Sequence, residues 1–372
     1  MKIAYCAHSK IPSKAANSIH VMKICHALAN QGHDVRLIVP NTQEEDGNPY
    51  DFYGVNSNFK IEHVVWPKIK LGVLIYSYRA IKKVKEEPGS VVYGRDLTTC
   101  FFSALSGIPT IWESHTPVDY MGGLYVRFFK IMCRKKSFRK LVVITSTLKK
   151  FYEEKYKIPS EIIEVLPDCS DVVDLSKKKP AVINNKDCDA SVGYIGQLYP
   201  GKGMEIISQL IPHCPNIMFH IIGGYKEDVE KWKKNLTSYK NVTFYGFMKP
   251  SETVEYGLSM DILIAPYLRK VGSAGAKKMK TDLSKWMSPL KLFEYMSYKK
   301  PIVSSDLPVL HDVLNSNNSI MCNPDDILEW STAINVLINN KEFAKKIAEQ
   351  AYMDFTSNYT WDKRAEKIAN LY

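Results

Sequence analysis

The stretch "ASVGYIGQLYPGKGMEII", residues 190–207, joins a short apolar run to a glycine-rich turn and then to the start of an apolar helix. This order predicts a strand, a turn and a helix. The alternation continues on both sides, and strands that alternate with helices form a parallel sheet covered on both faces. Further strands are predicted at "KIAYCAH", "DVRLIVP", "IEHVVW", "SVVYG", "PTIWES" and "LVVITS" before it, and at "NIMFHIIGG", "NVTFYG", "MDILIAPY", "KPIVSS" and "NSIMCN" after it.

The alternation lapses once, in a polar and charged segment that contains Pro180. We interpret residues 168–187 as a linker between one α/β domain at 1–167 and another at 188–354, since 372 residues exceed one ordinary core. In open parallel sheets, ligands bind beyond the carboxyl ends of the strands. Two such domains facing each other across a cleft would bring two substrates together.

The composition narrows the class of protein without choosing a function. The chain has 45% apolar and 24% charged residues, as soluble globular proteins do, and no apolar run long enough to predict a membrane span. No signal peptide precedes the first strand, and the eight scattered cysteines include no CxxC, so we expect a cytoplasmic protein with reduced thiols. The histidines show no ligand spacing, and we expect no metal. The net charge of +11 favours nucleic acid, anionic lipid or a phosphorylated small molecule as partner.

The glycine-rich turn is the first candidate site for phosphate. Gly196, Gly201 and Lys202 satisfy GxxxxGK, but a nucleoside-triphosphate P-loop needs Ser or Thr next, where this chain has Gly203. A P-loop is therefore disfavoured. The turn is either a structural turn with a solvated lysine or a site where Lys202 contacts phosphate beside a helix N-terminus without magnesium.

A second candidate anion site is the segment "SPLKLFEYM", residues 288–296. Ser288 is a natural N-cap and Pro289 a natural first helical residue, so the free amides near Leu290 and Lys291 would face a ligand. Glu294 lies on the same face, one turn deeper. Its carboxylate either stabilises the positive end of the helix or accepts hydrogen bonds from a diol such as a ribose.

These motifs resemble those of a known family. The second half, with "GYIGQLYPGKG", "VTFYGFMKPSETVEY", "DILIAPY" and "SPLKLFEYMSYKKPIVSSD", resembles the family 4 retaining glycosyltransferases of the GT-B fold. The first half, with "PSKAANSIHVMKICHALANQGHDVRLIVP" and "WESHTP", resembles their acceptor domain. The resemblance implies two Rossmann-like domains, with a C-terminal helix at 358–372 that crosses back to the first domain.

The resemblance also implies which residues form the site. Lys202 would contact the diphosphate of a nucleotide sugar, Glu294 would hold the ribose hydroxyls, and His115 would lie near the transferred sugar. These three are our catalytic candidates. The base of the nucleotide would lie against Phe247 and Met248. The other implied nucleotide contacts are Gly196, Gln197, Gly203, Ser288, Pro289 and Leu290.

Two positions depart from the family pattern. The family often carries two glutamates spaced E-x7-E, and the first would fall at Trp286. The arginine that usually precedes the GKG lysine is not evident, and Gln197 stands near its place. Trp286 either stacks on a sugar or packs on its own domain, and the identity of the sugar stays open.

Polar residues at strand ends of the first half are candidates for the acceptor side. Glu113 is either a base or a salt-bridged structural acid. Arg95 ends a strand, and Asp96 either faces substrate or caps the next helix. Asn17 and Ser18 would contact either substrate, although Ser18 serves equally well as the N-cap of the first helix.

The segment 124–140 carries basic residues without an acid between 127 and 140. Read as one amphipathic helix, it has Arg127, Lys130 and Arg134 in a stripe and apolar residues on another side. It either lies on an anionic membrane or is a domain helix with a solvated face. We therefore expect a cytoplasmic location, with the inner face of the cell membrane as the alternative.

The function expected is transfer of a sugar, with retained configuration, from a nucleotide diphosphate sugar to a hydroxyl of a glycan or lipid-linked acceptor. UDP is favoured over GDP, and neither metal nor cofactor is expected. Cell-surface polysaccharide synthesis, of capsule or lipopolysaccharide, is the expected context. The alternatives are a nucleotide-sugar epimerase or sugar phosphorylase on the same fold, or a basic nucleic-acid-binding protein, for which no motif is present.

Overall fold

The computed structural model describes residues 1–185, 187–272 and 282–372, apart from the side chains of residues 250 and 251. The chain forms two compact units. Unit 1 comprises Met1–Asp168 and Trp361–Tyr372, and unit 2 comprises Cys169–Thr360.

Unit 1 is built on a seven-stranded parallel sheet with helices between the strands. Its strands are β1 Lys2–Cys6, β2 Asp34–Pro40, β3 Lys60–Val64, β4 Val91–Gly94, β5 Thr110–Ser114, β6 Phe138–Val143 and β7 Ile163–Val165. Its helices are α1 Ala16–Asn30, α2 Pro49–Tyr53, α3 Gly72–Lys85, α4 Leu97–Leu105, α5 Gly123–Met132, α6 Ser146–Tyr156 and the C-terminal α13 Trp361–Ala369.

Unit 2 has a six-stranded parallel sheet. Its strands are β8 Ala190–Ile195, β9 Ile217–Ile222, β10 Val242–Gly246, β11 Ile262–Ala265, β12 Ile302–Ser305 and β13 Ile320–Cys322. Its helices are α7 Met204–His213, α8 Lys226–Asn235, α9 Pro250–Ser259, α10 Leu290–Ser297, α11 Ile327–Asn339 and α12 Lys341–Asn358. The predicted α/β class with two parallel sheets is confirmed.

The two sheets share one topology. The strand orders are β3-β2-β1-β4-β5-β6-β7 and β10-β9-β8-β11-β12-β13. In each sheet the order reverses beside the first strand, between β1 and β4 or between β8 and β11. At such a point successive loops diverge to opposite sides and leave a crevice beyond the carboxyl ends of the strands. Every residue of β8 and β11 is buried, so the loops that follow them start from a rigid support.

The C-terminal helix α13 packs in unit 1. Arg364, Ala365 and Ile368 are buried on one side of it. The Gln31 side chain at the end of α1 donates to the Asp362 carbonyl at 2.7 Å. The helix begins at Trp361 rather than near 358, because residues to Asn358 continue α12.

Two predicted helix caps are wrong. Helix α1 begins at Ala16, so Ser18 lies inside it and its hydroxyl instead donates to the Lys10 carbonyl at 2.9 Å, which fastens the preceding loop. Helix α10 begins at Leu290, and Pro289 occupies the N-cap with an extended backbone. Ser288 therefore precedes the cap instead of forming it.

The prediction of one basic helix over 124–140 is also wrong. Helix α5 ends at Met132, and β6 starts at Phe138. The turn between them is closed by Lys135 N–H to the Met132 carbonyl at 2.9 Å. The pairing of β6 with β5 competes successfully with a longer helix, so Arg134 does not continue the stripe of Arg127 and Lys130.

Candidate functional site

The turn after β8 in unit 2 needs glycine at three positions. The Gly196 N–H donates to the Ile222 carbonyl at 2.9 Å, which ties the end of β8 to β9. A Cβ on Gly201 would lie 2.2 Å from the Lys270 carbonyl oxygen, and one on Gly203 would lie 2.7 Å from Pro266 Cγ. The turn is therefore pressed against the segment that follows β11, at the reversal point of the sheet.

Lys202 lies on this turn, directly before α7. Its ammonium lies 5.4 Å from the ring centroid of Tyr267 and 5.6 Å from that of Tyr199. Burial lowers the pKa of Lys202 to about 8. The turn thus holds a cation in an environment that favours its neutral form, which an anion would reverse.

Helix α10 is fixed against the same edge. The Ile195 N–H at the end of β8 donates to the buried Tyr295 hydroxyl at 2.8 Å. Leu292, Phe293 and Met296 bury the rest of that face in the core of unit 2. The first turn of α10 is thereby held beside the end of β8, with Lys291 buried in it.

Glu294 is half-buried one turn into α10. Its charge opposes the lowering of the pKa of Lys291, so the two side chains are near each other. Glu294 is thus a carboxylate beside Lys291 at the edge where ligands bind, and Lys291 is in turn near Lys202. The arrangement can accept hydrogen bonds from a ligand hydroxyl while the lysines hold an anion.

In unit 1, Glu113 is the centre of a buried cluster. Its carboxylate accepts hydrogen bonds from the Tyr93 hydroxyl and from His115 Nε2, and it lies 3.0 Å from both Arg364 Nη2 and His20 Nε2. Burial raises the pKa of Glu113, but Arg364 and the two histidines outweigh it and hold the pKa well below its usual range. These contacts favour the salt-bridged structural role over a base, because such a carboxylate binds protons weakly.

The ring of His115 is neutral at physiological pH. Burial and the charge of Arg95 lower the pKa of His115 to about 4, against the opposing carboxylate of Glu113. Because ionised Glu113 only accepts hydrogen bonds, His115 Nε2 carries the proton and Nδ1 keeps a lone pair. His115 can therefore accept a hydrogen bond from a hydroxyl.

His20, Glu113 and His115 also have the spacing of a metal site. One ligand atom from each lies within 4.8 Å of the others. His20 Nδ1 bonds Asp168 Oδ1 at 2.8 Å, and Arg364 already neutralises Glu113. The charge of Glu113 is therefore compensated by its neighbours within unit 1.

Asp96 acts as a helix cap. Its carboxylate accepts from the N–H groups of Thr98 and Thr99 at 2.9 and 3.1 Å, and His8 Nε2 lies 2.5 Å away. Arg95 is half-buried at the end of β4, where its charge reaches His115. Of the two candidates at this strand end, Asp96 therefore has the role of a helix cap.

Two family models match the chain in tandem. Residues 18–172 match the model described as Glycosyltransferase Family 4, and residues 176–354 match the model described as Glycosyl transferases group 1. The chain belongs to the family 4 glycosyltransferases.

Known proteins of similar sequence or structure agree with this family. A Haemophilus influenzae protein described as an uncharacterized glycosyltransferase is 23% identical over 363 residues, which cover 93% of each chain. Anabaena HepE, solved in complex with UDP, superposes with a TM-score of 0.74 at 14% identity and covers 100% of this chain and 99% of its own. Sucrose-phosphate synthase of Thermosynechococcus elongatus gives the same TM-score and identity, with 100% and 98% covered. The fold of this glycosyltransferase is GT-B.

In unit 2 of this glycosyltransferase, several predicted donor contacts meet at one edge. A Cβ on Gly196 would lie 2.9 Å from Lys291 Nζ, so the turn and the start of α10 are adjacent. The Gly223 N–H donates to the Gly246 carbonyl at 2.7 Å, which places the loop with Phe247 beside them. Among the predicted donor residues, these contacts bring together Gly196, Lys202, Gly203 and the first turns of α10 with Leu290 and Glu294.

The other predicted residues are placed less favourably. Asn17 is exposed on the first turn of α1, and Ser18 beside it is buried in the protein. Met248 packs against the core of unit 2, whereas Phe247 is 37% exposed. Trp286 is half-buried near the start of α10, and its backbone N–H donates to the Leu283 carbonyl at 3.0 Å.

Three residues of the Glu113 cluster in unit 1 and one residue of the candidate site in unit 2 were missed in the sequence. His20, Asp168 and Arg364 lie far apart along the chain and meet only through the fold. Lys291 was considered only for its backbone amide, although a lysine among apolar helix residues was a signal of a buried charge.

Proposed function

We propose that this glycosyltransferase moves a sugar, with retained anomeric configuration, from a UDP-sugar to a hydroxyl of a glycan or lipid-linked acceptor. The observation that carries the proposal is that the turn with Lys202 meets the first turns of α10, which carry Glu294, at one edge of the unit 2 sheet. A cation and a carboxylate so placed fit a diphosphate and the ribose that adjoins it. No cofactor besides the donor enters this proposal.

The choice of donor and acceptor is supported by similar structures. HepE has been solved with UDP and with UDP-glucose. WaaB is described as a lipopolysaccharide outer core galactosyltransferase, and WaaG as a glycosyltransferase of lipopolysaccharide biosynthesis. These neighbours favour a UDP-sugar as donor and a cell-surface glycan, in capsule or lipopolysaccharide synthesis, as acceptor.

The chemistry required is stabilisation of the leaving group. The diphosphate gains negative charge while the sugar becomes oxocarbenium-like. The Lys202 ammonium and the free amides at the start of α10 supply fixed positive charge, and loss of one such donor typically costs about 2.7–4 kcal/mol of transition-state stabilisation. The His115 Nδ1 lone pair would accept a hydrogen bond from a hydroxyl of the transferred sugar. Lysine and amide groups can meet this charge without a divalent ion.

The proposal is tested by turnover of a panel of UDP-sugars with glycan acceptors, with and without EDTA. We expect UDP release that depends on acceptor and persists in EDTA, and a product with the anomeric configuration of the donor by NMR. Conversion of the donor sugar without acceptor would instead indicate an epimerase. Inversion of configuration would contradict the retaining mechanism.

We further propose that unit 1 contacts an anionic membrane through α5 and its neighbours. No described helix is long and apolar enough to cross a bilayer. Tyr120, Met121 and Leu124 are exposed beside Arg127 and Lys130, and such a surface favours anionic interfaces. In liposome flotation with anionic lipid, Arg127→Gln with Lys130→Gln should reduce binding. Equal flotation of wild type with neutral and anionic lipid would contradict this location.

A further inference from the structure

Lys291 is a buried lysine whose charged form the fold disfavours. It is the second residue of α10, it is 8% exposed, and its ammonium has no hydrogen-bond partner in the described part of the chain. Burial and the charge of Lys202 hold the pKa of Lys291 well below its ordinary value, against the opposing Glu294. An unpaired buried charge is costly to folding.

The ammonium groups of Lys291 and Lys202 share one aromatic environment. Lys291 Nζ lies 3.7 Å from the ring centroid of Tyr194 and 5.1 Å from that of Tyr267. Lys202 Nζ lies 5.4 Å from the same Tyr267 centroid. Aromatic faces attract cations, but no salt bridge joins either ammonium to a carboxylate among the residues that the structure describes. Two lysine side chains are thus held near each other without a carboxylate bound to either in the described part of the chain.

The backbone is shaped to admit the Lys291 side chain. Gly196 has φ +152, and a Cβ there would lie 2.9 Å from Lys291 Nζ and 3.0 Å from its Cε. A larger residue would therefore displace the ammonium. The glycine-rich turn therefore packs against the Lys291 side chain and also carries Lys202.

We propose that Lys291 Nζ is a second ligand of the donor diphosphate, acting together with Lys202. The inference rests on the proposed function and names a further residue of the same site. The diphosphate of a nucleotide sugar carries two negative charges, which two ammonium groups match.

The test compares wild type with Lys291→Met and Lys291→Arg in calorimetric titrations with UDP, UMP and uridine. Lys291→Met should weaken UDP about 10–100-fold, as expected for loss of one charged hydrogen-bond donor. UMP should weaken less, and uridine should bind equally. Lys291→Arg should keep the preference for UDP over UMP. Lys345→Met, at an exposed site on α12, is the matched control and should bind UDP as wild type does.

Two measurements distinguish a lysine that binds the diphosphate from one that only packs in the core. UDP should take up protons when it binds to wild type at pH 8, and Lys291→Met should reduce this uptake, because the anion stabilises the charged form of the lysine. Without ligand, Lys291→Met should melt at a higher temperature than wild type, because the variant removes a buried amine that has no hydrogen-bond partner among the described residues. A lower melting temperature together with unchanged UDP binding would assign Lys291 to packing and overturn the inference.

The remaining outcomes distinguish this inference from the proposed function. UDP binding that is equal in wild type and Lys291→Met overturns the inference and leaves the function standing. Pyrophosphate binding that Lys291→Met abolishes, with no binding of UDP or UDP-sugars, supports the anion site and contradicts the function. Binding of neither pyrophosphate nor UDP to wild type overturns both.

Discussion

Glu294 is an acid on the first turns of a helix that also carries buried Lys291. Placement near the positive end of a helix dipole stabilises a carboxylate by about 0.3–1 kcal/mol, which explains its presence without any ligand. A ribose would give it a second role, since each hydrogen bond to a charged acceptor contributes about 1.5–3 kcal/mol. The two roles differ in whether the residue recognises ligand hydroxyls.

Glu294→Gln should weaken binding of UDP about 10-fold, because the neutral amide accepts hydrogen bonds from a diol less strongly. Titration with UDP and with its 2′,3′-dideoxy analogue measures this. Wild type should prefer the ribose form, and Glu294→Gln should lose most of that preference. Glu349→Gln, on α12 where the side chain is 41% exposed and pairs with Lys299 at 3.4 Å, is the control. An unchanged preference in Glu294→Gln would leave the residue with a role in helix stability only.

His115 shows how burial decides the protonation state of a residue at a strand end. Its neighbours Glu113 and Arg95 act in opposite directions, and burial together with Arg95 lowers the pKa of His115 to about 4. The lone pair on Nδ1 follows from the ionised state of Glu113. Neither the charge of His115 nor the ring nitrogen that carries its proton could be assigned from "WESHTP" alone, because the sequence does not show what surrounds the ring.

NMR of the histidine ring nitrogens should show His115 protonated at Nε2 and bare at Nδ1 at pH 7, with titration near pH 4. Since the pKa in the folded state is below the value of 6.5 for an unperturbed histidine, His115 should lower the free energy of unfolding as the pH falls from about 6.5 to about 4. His115→Asn identifies the signal and should remove this dependence. Titration of the assigned ring near pH 6.5 would contradict the description.

At the scale of elements, the turn between β8 and α7 has a backbone conformation that suits glycine, and it carries Lys202, a predicted donor contact. Gly203 has φ +133, and its carbonyl accepts the first hydrogen bonds of α7 from Ile206 and Ile207. A side chain there would also collide with Pro266. The geometry that positions Lys202 therefore depends on a residue without a Cβ.

Gly203→Ala should lower the free energy of unfolding by about 1–3 kcal/mol through strain and steric conflict. It should also weaken UDP binding, because relief of the collision moves Lys202. Urea unfolding and calorimetric titration measure the two effects. Gly107→Ala, at φ +77 with open space around the added Cβ, is the matched control for backbone strain and should leave UDP binding unchanged. Full UDP affinity in a destabilised Gly203→Ala would show that the turn does not position Lys202.

The elements that could be predicted from sequence were those with strong local patterns. Apolar runs bounded by turn residues identified most strands, because a strand buried on both faces has no polar alternation to obscure it. Boundaries that depend on tertiary contacts were not predictable: Ser18 bonds the Lys10 carbonyl of the preceding loop instead of capping α1, and residues 138–143 pair with β5. The buried networks around Glu113 and Lys291 were missed for the same reason.

At the scale of the whole molecule, the two units treat buried charge differently. In unit 1 the Glu113 carboxylate is surrounded by Arg364 and histidines, so the protein compensates its own charge. In unit 2 the ammonium groups of Lys202 and Lys291 lie against tyrosine rings without a carboxylate bound to them among the described residues. Because of this difference, we expect the anion to bind in unit 2.

The most direct test of this account is thermal unfolding of wild type and Lys202→Met with a panel of nucleotides and nucleotide sugars. A ligand at 100 times its dissociation constant should add about 2.7 kcal/mol to the free energy of unfolding. We predict that UDP and at least one UDP-sugar raise the melting temperature of wild type, and that Lys202→Met loses most of this increase. No increase with any nucleotide, or an equal increase in Lys202→Met, would contradict the assignment of the donor site.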